Sequence, residues 1–380
     1  MRKFLGKTLL LSSLLMPSII GQAHAQEKET EIKIGTVFAM TGGIATYGQE
    51  SLNGIKLALK DINKKGVLGK KIKIISEDNR SEPTDAASAV KKLIEVDKVS
   101  IVIGSVASTN TLAGAPIAQK AQIPLLTPAS TNEKVTQVGN FVSRTCFTDE
   151  FQGVVMAKFA AENLKKKKAA IIIDTSSDYS KGLARVFKKE FTRLGGEIIP
   201  DEFSYIQKDT DFRSLLRKVK RRKPDVIFLP GYYTEAGLIL KQARSMGIDL
   251  PFLGGDGWDS PDLQKLAGDA VKGNYISSHF AADDSDKLVQ SFVKNYTATF
   301  GNKPGAMAAL GYDAILVVAD ALKRAGSTDP KALNAAIAAT KGFQGVTGLI
   351  TIDSNRNARK SAVVLETTPA GNIFNSKVNP

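Results

Sequence analysis

Short apolar runs alternate with stretches of helical periodicity along almost the whole chain. Runs at 32–38, 71–77, 100–104 and 124–127 predict strands, and the segments 48–63, 84–96 and 109–121 between them carry apolar residues at helical spacing. A second series predicts strands at 169–174, 197–205, 226–230 and 252–254, with helices at 151–164, 180–194, 212–222 and 235–246. Connections of this strand–helix–strand kind give mostly parallel sheets with helices on both faces, so two series predict two doubly wound α/β lobes. The rhythm then changes to an extended run at 271–280, helices at 288–300, 306–325 and 330–340, and strands near 348–353, 362–366 and 373–375. No Pro- or Ser-rich linker interrupts any of this, so the chain is expected to pass between lobes through short crossings, with the late helices returning to the first lobe.

Polar stretches follow directly after many of the apolar strands: TGGIATYG at 41–48, GSVASTNT at 104–111, TPASTN at 127–132, DTSSDYS at 174–180, GYYT at 231–234 and GGDGW at 254–258. In open α/β sheets ligands bind at the carboxyl ends of strands. The pattern therefore describes a protein that holds a small polar molecule. Both series also open alike, as a strand, a Ser/Thr/Gly-rich loop ending near a tyrosine, a helix, a glycine and a strand, which sets Tyr47 and Tyr179 in corresponding places.

The N-terminus reads as a secretory signal over residues 1–25. Met1-Arg2-Lys3 supplies positive charge, residues 9–20 are mostly apolar but too few for a membrane span, and Ala23-His24-Ala25 has the small-x-small form cleaved by signal peptidase. Export to the periplasm is the expectation, with a soluble chain after cleavage and no cysteine there to carry a lipid. The remaining 355 residues suffice for two lobes. With Arg2, Lys3 and Lys7 removed, 49 basic residues stand against 38 acidic ones, a net charge of +11. Export and the lack of aromatic residues among the basic runs argue against nucleic acid. The runs 165–168 and 221–223 follow predicted helices, where cations favour the C-terminal dipole; they read as solvated faces, with a docking surface as the alternative. Cys146 is the sole cysteine, which excludes an intrachain disulfide.

Catalytic chemistry is thinly supplied. His279 is the only histidine outside the signal, which excludes a multi-His zinc site, and the chain has no nucleophile elbow, phosphate loop, dinucleotide fingerprint or cysteine pair. We expect no enzyme, no metal and no cofactor. Ligand capture fits better. Ser108, at a predicted helix start, offers a hydroxyl and free backbone N–H groups to a carboxylate, or is only a helix cap. Thr131 adds a hydroxyl from the adjacent strand end, or is a turn residue. Asp256, between two glycines, is placed to pair with an ammonium group, or is a turn aspartate or a metal ligand. Tyr47, Tyr179 and Tyr232 supply walls with hydroxyl tips, or simply pack.

Taken in order, Thr41-Gly42 with Tyr47-Gly48, Gly104 with Ser108-Thr109, Thr127-Pro128-Ala129-Ser130-Thr131-Asn132, Tyr179-Ser180-Lys181-Gly182, Gly231-Tyr232-Tyr233 and Gly255-Asp256-Gly257 resemble the periplasmic solute-binding proteins of the leucine/isoleucine/valine type that serve ABC importers. The resemblance spans nearly the whole chain after residue 25. It implies two lobes joined by three crossings, which we place so that 26–143 and 278–346 form lobe 1 and 144–277 and 347–380 form lobe 2. It also implies a monomer that closes on a zwitterionic amino acid by hinge motion and delivers it to a membrane permease. Carried onto this chain, Ser108 and Thr131 match positions that hold the α-carboxylate, with backbone from Ala129. Asp256 matches the acid that holds the α-ammonium, and Tyr47, Tyr179 and Tyr232 match the pocket wall. Branched-chain binders often carry Glu where this chain has Asp256, and some relatives have a first-lobe disulfide that Cys146 cannot form. A non-amino ligand, an aromatic acid or an amide, for import or for a signalling receptor, is the alternative.

Overall fold

A computed structural model describes residues 31–380 together with Met1; the expected signal segment and its cleavage site lie outside the described residues. The first sheet consists of β1 (Glu31–Phe38), β2 (Lys71–Asp78), β3 (Ile101–Gly104), β4 (Leu125–Thr127) and β5 (Val142–Arg144). Its order is β2-β1-β3-β4-β5 and every pairing is parallel. Helices α1 (Ala45–Lys65), α2 (Pro83–Glu95) and α3 (Ser108–Ala121) connect its strands, and the short α4 (Lys134–Gln137) leads into β5. The central strand β3 is buried along its whole length, as a parallel strand covered on both faces must be.

The second sheet takes β6 (Lys168–Asp174), β7 (Glu197–Ile198), β8 (Phe203–Tyr205), β9 (Val226–Phe228), β10 (Phe252–Gly254) and β11 (Asn274–Ser278), all parallel where they pair with one another. Around it lie α5 (Asp149–Lys158), α6 (Asp178–Arg193), α7 (Arg213–Arg221), α8 (Tyr233–Ser245) and α9 (Pro261–Ala267). The single strand expected at 197–205 is split into β7 and β8, because Pro200 has no N–H to give the ladder. The three-residue β5 carried too little periodicity to be anticipated, and α5 ends in a π-helical turn, Phe159–Asn163, where a regular helix was expected.

The chain continues through α10 (Lys287–Phe300), α11 (Ala306–Ala325) and α12 (Pro330–Ala338) to three short antiparallel strands, β12 (Phe343–Gly345), β13 (Gly348–Ile352) and β14 (Ala358–Arg359). It ends in β15 (Ala362–Thr368) and β16 (Gly371–Val378), which extend the second sheet antiparallel beyond β11. The region 347–359, expected with the second lobe, hydrogen-bonds to the first. The Arg356 guanidinium donates to the carbonyls of Thr136 at 2.8 Å and Val142 at 3.2 Å, and the Arg144 N–H donates to the Arg356 carbonyl at 3.1 Å. We therefore place the third crossing at Lys360, between β14 and β15.

Helix α11 packs on α1 at backbone range. A Cβ built at Gly54 would lie 1.9 Å from the Ala308 carbonyl oxygen, and one at Gly311 would lie 2.2 Å from that of Ser51. Only glycine permits this approach, which ties the late helices to the first lobe. Gly54→Ala is expected to cost about 1–3 kcal/mol through overpacking. Denaturant melts should show the loss as a lower midpoint with an unchanged slope; equal midpoints would show that the two helices separate freely.

Candidate ligand-binding site

The carboxyl ends of the two sheets face each other, and polar contacts close the cleft between them. The Thr46 hydroxyl donates to Asp262, the Tyr47 hydroxyl donates to the Gly257 carbonyl, and the Thr234 hydroxyl donates to the Gly43 carbonyl at 2.6 Å. At the α3–α6 side the Asn132 amide donates to the Asp178 carbonyl at 2.7 Å, and the Asp178 N–H donates to the Thr109 hydroxyl at 3.0 Å. Between these contacts lies a small, nearly closed pocket. Tyr47, Ser108, Ala129, Thr131, Tyr179, Tyr232 and Asp256 all line it. All seven residues selected from the sequence thus come together, with Val106, Gly257 and Met307 completing the wall.

On the first lobe, Ser108 is the first residue of α3, so backbone N–H groups of that first turn have no partner inside the helix. The Ser108 hydroxyl accepts the Asn132 N–H at 3.2 Å, which leaves its own proton to give. The loop from Thr127 to Asn132 is held from behind by Arg144, whose guanidinium donates to the Ser130 carbonyl at 2.6 Å and to the Asn132 carbonyl at 2.7 Å. The Ala129 N–H already donates to the Thr127 hydroxyl at 3.3 Å, so what Ala129 has to offer is its carbonyl.

On the second lobe, Asp256 opens a 3₁₀ turn, Asp256–Trp258, directly after β10. The Gln152 amide donates to its Oδ1 at 3.0 Å, and His279 Nε2 lies 3.0 Å from its Oδ2. Gln152 Oε1 in turn accepts the Asp256 N–H at 3.2 Å and the Ser277 hydroxyl at 2.8 Å. Burial pushes the His279 imidazole down to about 4, outweighing the attraction of Asp256, so the ring is neutral at pH 7 and its Nε2–H is the donor. Burial, reinforced by Asp256, pushes the neighbouring Asp149 up to about 8. Asp256 thus has neutral groups as its direct partners.

Three tyrosines frame this carboxylate. The Tyr179 and Tyr232 rings stack with centroids 5.3 Å apart, and Tyr47 meets Tyr232 edge-on at 6.0 Å. The Tyr179 hydroxyl accepts the Gly257 N–H at 3.1 Å, so Tyr47 and Tyr179, one from each lobe, grip the two ends of one residue. A Cβ at Gly257 would lie 2.5 Å from the Gly231 carbonyl, which reserves the position for glycine. The Tyr232 hydroxyl is buried with no partner among the described residues.

Gln152, His279 and Arg144 were not singled out as binding residues from the sequence, where His279 was weighed only as a catalytic base. The available signal was a polar residue inside an apolar stretch, as at Gln152. Glu50, also unanticipated, is 5% exposed and faces Asp259 and Asp262 of the opposite lobe, with Lys265 and Tyr296 nearby. Burial first, then those two acids, pushes it up to about 8.

Residues 31–371 match the periplasmic binding protein family. A leucine binding protein from Thermotoga maritima is 40% identical, with a TM-score of 0.89 over 92% of this chain and 99% of that one. The branched-chain amino acid substrate-binding protein of Streptococcus pneumoniae, solved with isoleucine, is 34% identical at a TM-score of 0.86, covering 92% of this chain and 100% of that one. A solute-binding protein from Rhodopseudomonas palustris, solved with 3,4-dihydroxybenzoic acid, is 30% identical at 0.83, covering 92% and 97%.

Both Glu50 and Asp149 hold their protons more tightly in the folded chain than unfolded. Their contribution is therefore full below the ordinary carboxylate range and is lost as pH rises through about 8. Glu50→Gln and Asp149→Asn should each gain thermal stability relative to the parent between pH 5.5 and 8.5. A difference in melting temperature that stays constant across that range would show that neither group takes up a proton on folding.

Proposed function

The chain belongs to the periplasmic binding protein family, and from that premise we infer that it captures a branched-chain amino acid between its lobes and delivers it to an ABC permease. The observation that carries this reading is Asp256, a carboxylate in the cavity wall whose direct partners, Gln152 and neutral His279, bring no positive charge. A ligand ammonium supplies what is missing. At the other end, the Ser108 hydroxyl, the Thr131 hydroxyl and the first-turn amides of α3 suit a carboxylate. Val106, Met307 and the tyrosine rings leave an apolar flank for an aliphatic side chain.

Binding begins on one lobe and is completed by hinge closure, since the closed state is favoured only by contacts the open one lacks. Asp is one methylene shorter than Glu, and here the Tyr47 bond to the Gly257 carbonyl draws the Asp256 turn toward the first lobe while Tyr179 braces it from within the second. The protein is read as exported to the periplasm and working there as a monomer. A second reading, capture of an aromatic acid, is favoured by the tyrosine walls and by the dihydroxybenzoate complex of the Rhodopseudomonas protein.

Calorimetric titration of residues 26–380 separates the two. Leucine, isoleucine or valine should bind, and their deaminated acids should not. Asp256→Ala is expected to weaken binding by about 3–5 kcal/mol, because it strands a buried ammonium. Tight binding of dihydroxybenzoate with no response to amino acids would establish the second reading. Amino-acid affinity unchanged in Asp256→Ala would remove Asp256 from the site.

A further inference from the structure

Two basic runs that lie far apart in sequence meet in the fold, at the end of the second sheet remote from the ligand cavity. The run 165–168 leads into β6, and 221–223 leads into β9, its parallel neighbour. The Asp225 N–H donates to the Lys168 carbonyl at 2.9 Å, and the Asp225 carboxylate accepts the N–H groups of Lys167 and Lys168, both at 2.9 Å. The acids of this end are largely committed. Asp225 caps backbone, Glu197 lies 3.5 Å from Lys168, and Asp201 pairs with Arg222 at 2.7 Å. Lys165, Lys166, Lys167, Arg217, Arg221 and Lys223 have no carboxylate within 4 Å among the described residues, and all but the half-buried Lys166 are exposed. Arg217 and Arg221, four apart on α7, share one helix face.

A cluster of six unpaired cations is more than helix C-termini need. It lies at the amino ends of the strands, so it is separate from the cleft rim, and closure does not cover it. The groups are long, flexible and spread over a surface, which suits a field of mobile anions better than a single bound one. We propose that this basic end of the second lobe is a peripheral docking surface for anionic lipid headgroups, holding the protein electrostatically at a membrane. No described helix is long and apolar enough to span a bilayer; an attachment made through charge is superficial and reversible by salt. It would keep the protein near a membrane-embedded permease while leaving the cleft free. The inference depends on export but not on which ligand the cleft takes.

Sedimentation of the mature chain with vesicles tests it. Vesicles containing phosphatidylglycerol should retain the protein at low salt and release it at high salt, while pure phosphatidylcholine vesicles should not retain it. The variant Lys165→Glu/Lys167→Glu/Arg221→Glu/Lys223→Glu should lose at least tenfold in vesicle affinity and keep its leucine affinity. The control Lys56→Glu/Lys71→Glu/Lys98→Glu/Lys331→Glu makes the same charge change at other exposed lysines and should lose much less. Equal loss in both variants would reduce the effect to net charge and overturn the assignment. So would equal binding to phosphatidylcholine, or retention on anionic vesicles that high salt does not release.

Discussion

A buried carboxylate whose hydrogen-bond partners are neutral organises this protein. Neither of those partners brings positive charge, which leaves an electrostatic demand that a ligand cation can meet. Three neighbouring groups preserve that demand. Burial keeps His279 neutral, Asp149 holds its proton, and the guanidinium of Arg144 is engaged with the carbonyls of Ser130 and Asn132. The proposed site would thus select by charge before it selects by shape.

Much of this was legible in the sequence, for a definite reason. Parallel sheets place every strand's carboxyl end on one side, so a Ser/Thr/Gly-rich loop after an apolar run marks a position at the cleft without any knowledge of the partner lobe. Ser108, Thr131, Tyr179 and Asp256 all follow that rule. What was not legible depends on apposition. Gln152 lies within a helix, and His279 lies on a crossing, where the ring stacks on Phe147 of another crossing with centroids 3.6 Å apart. Local periodicity does not report which crossings run side by side. The segment 347–359 is hard to place from sequence for a related reason: its strands are short, and the bonds that tie it to the first lobe run through Arg356 and Asn357, far away along the chain from their partners.

The hinge follows similar chemistry. At the third crossing Lys360 is buried and donates to the Thr347 hydroxyl, and burial lowers it to about 8. Asp313 on α11 accepts the N–H groups of Val346 at 2.8 Å and Thr347 at 2.9 Å, and the Thr347 hydroxyl at 2.5 Å. The buried lysine and aspartate both bond the Thr347 hydroxyl, so the path of this crossing is held. At the first crossing, Arg144 reaches back to the 127–132 loop. The groups that anchor the crossings therefore also shape the pocket floor.

Closure and recognition are consequently one event. The first lobe presents donors, from hydroxyls and helix amides; the second presents an acceptor charge. A molecule carrying only one of the matching ends can satisfy one lobe and gains nothing when the other arrives. On the proposed function a zwitterion gains from both, and only when the separation between lobes matches its own length. The Tyr47 bond to the Gly257 carbonyl ties that separation to the first lobe, while Tyr179 holds the Gly257 N–H within the second lobe, next to Asp256. Since Asp is short, the distance between carboxylate and donors must be spanned by the ligand and by closure, not by the side chain. On the same proposal, discrimination among amino acids falls to Val106, Met307 and the tyrosine faces, which line the rest of the pocket.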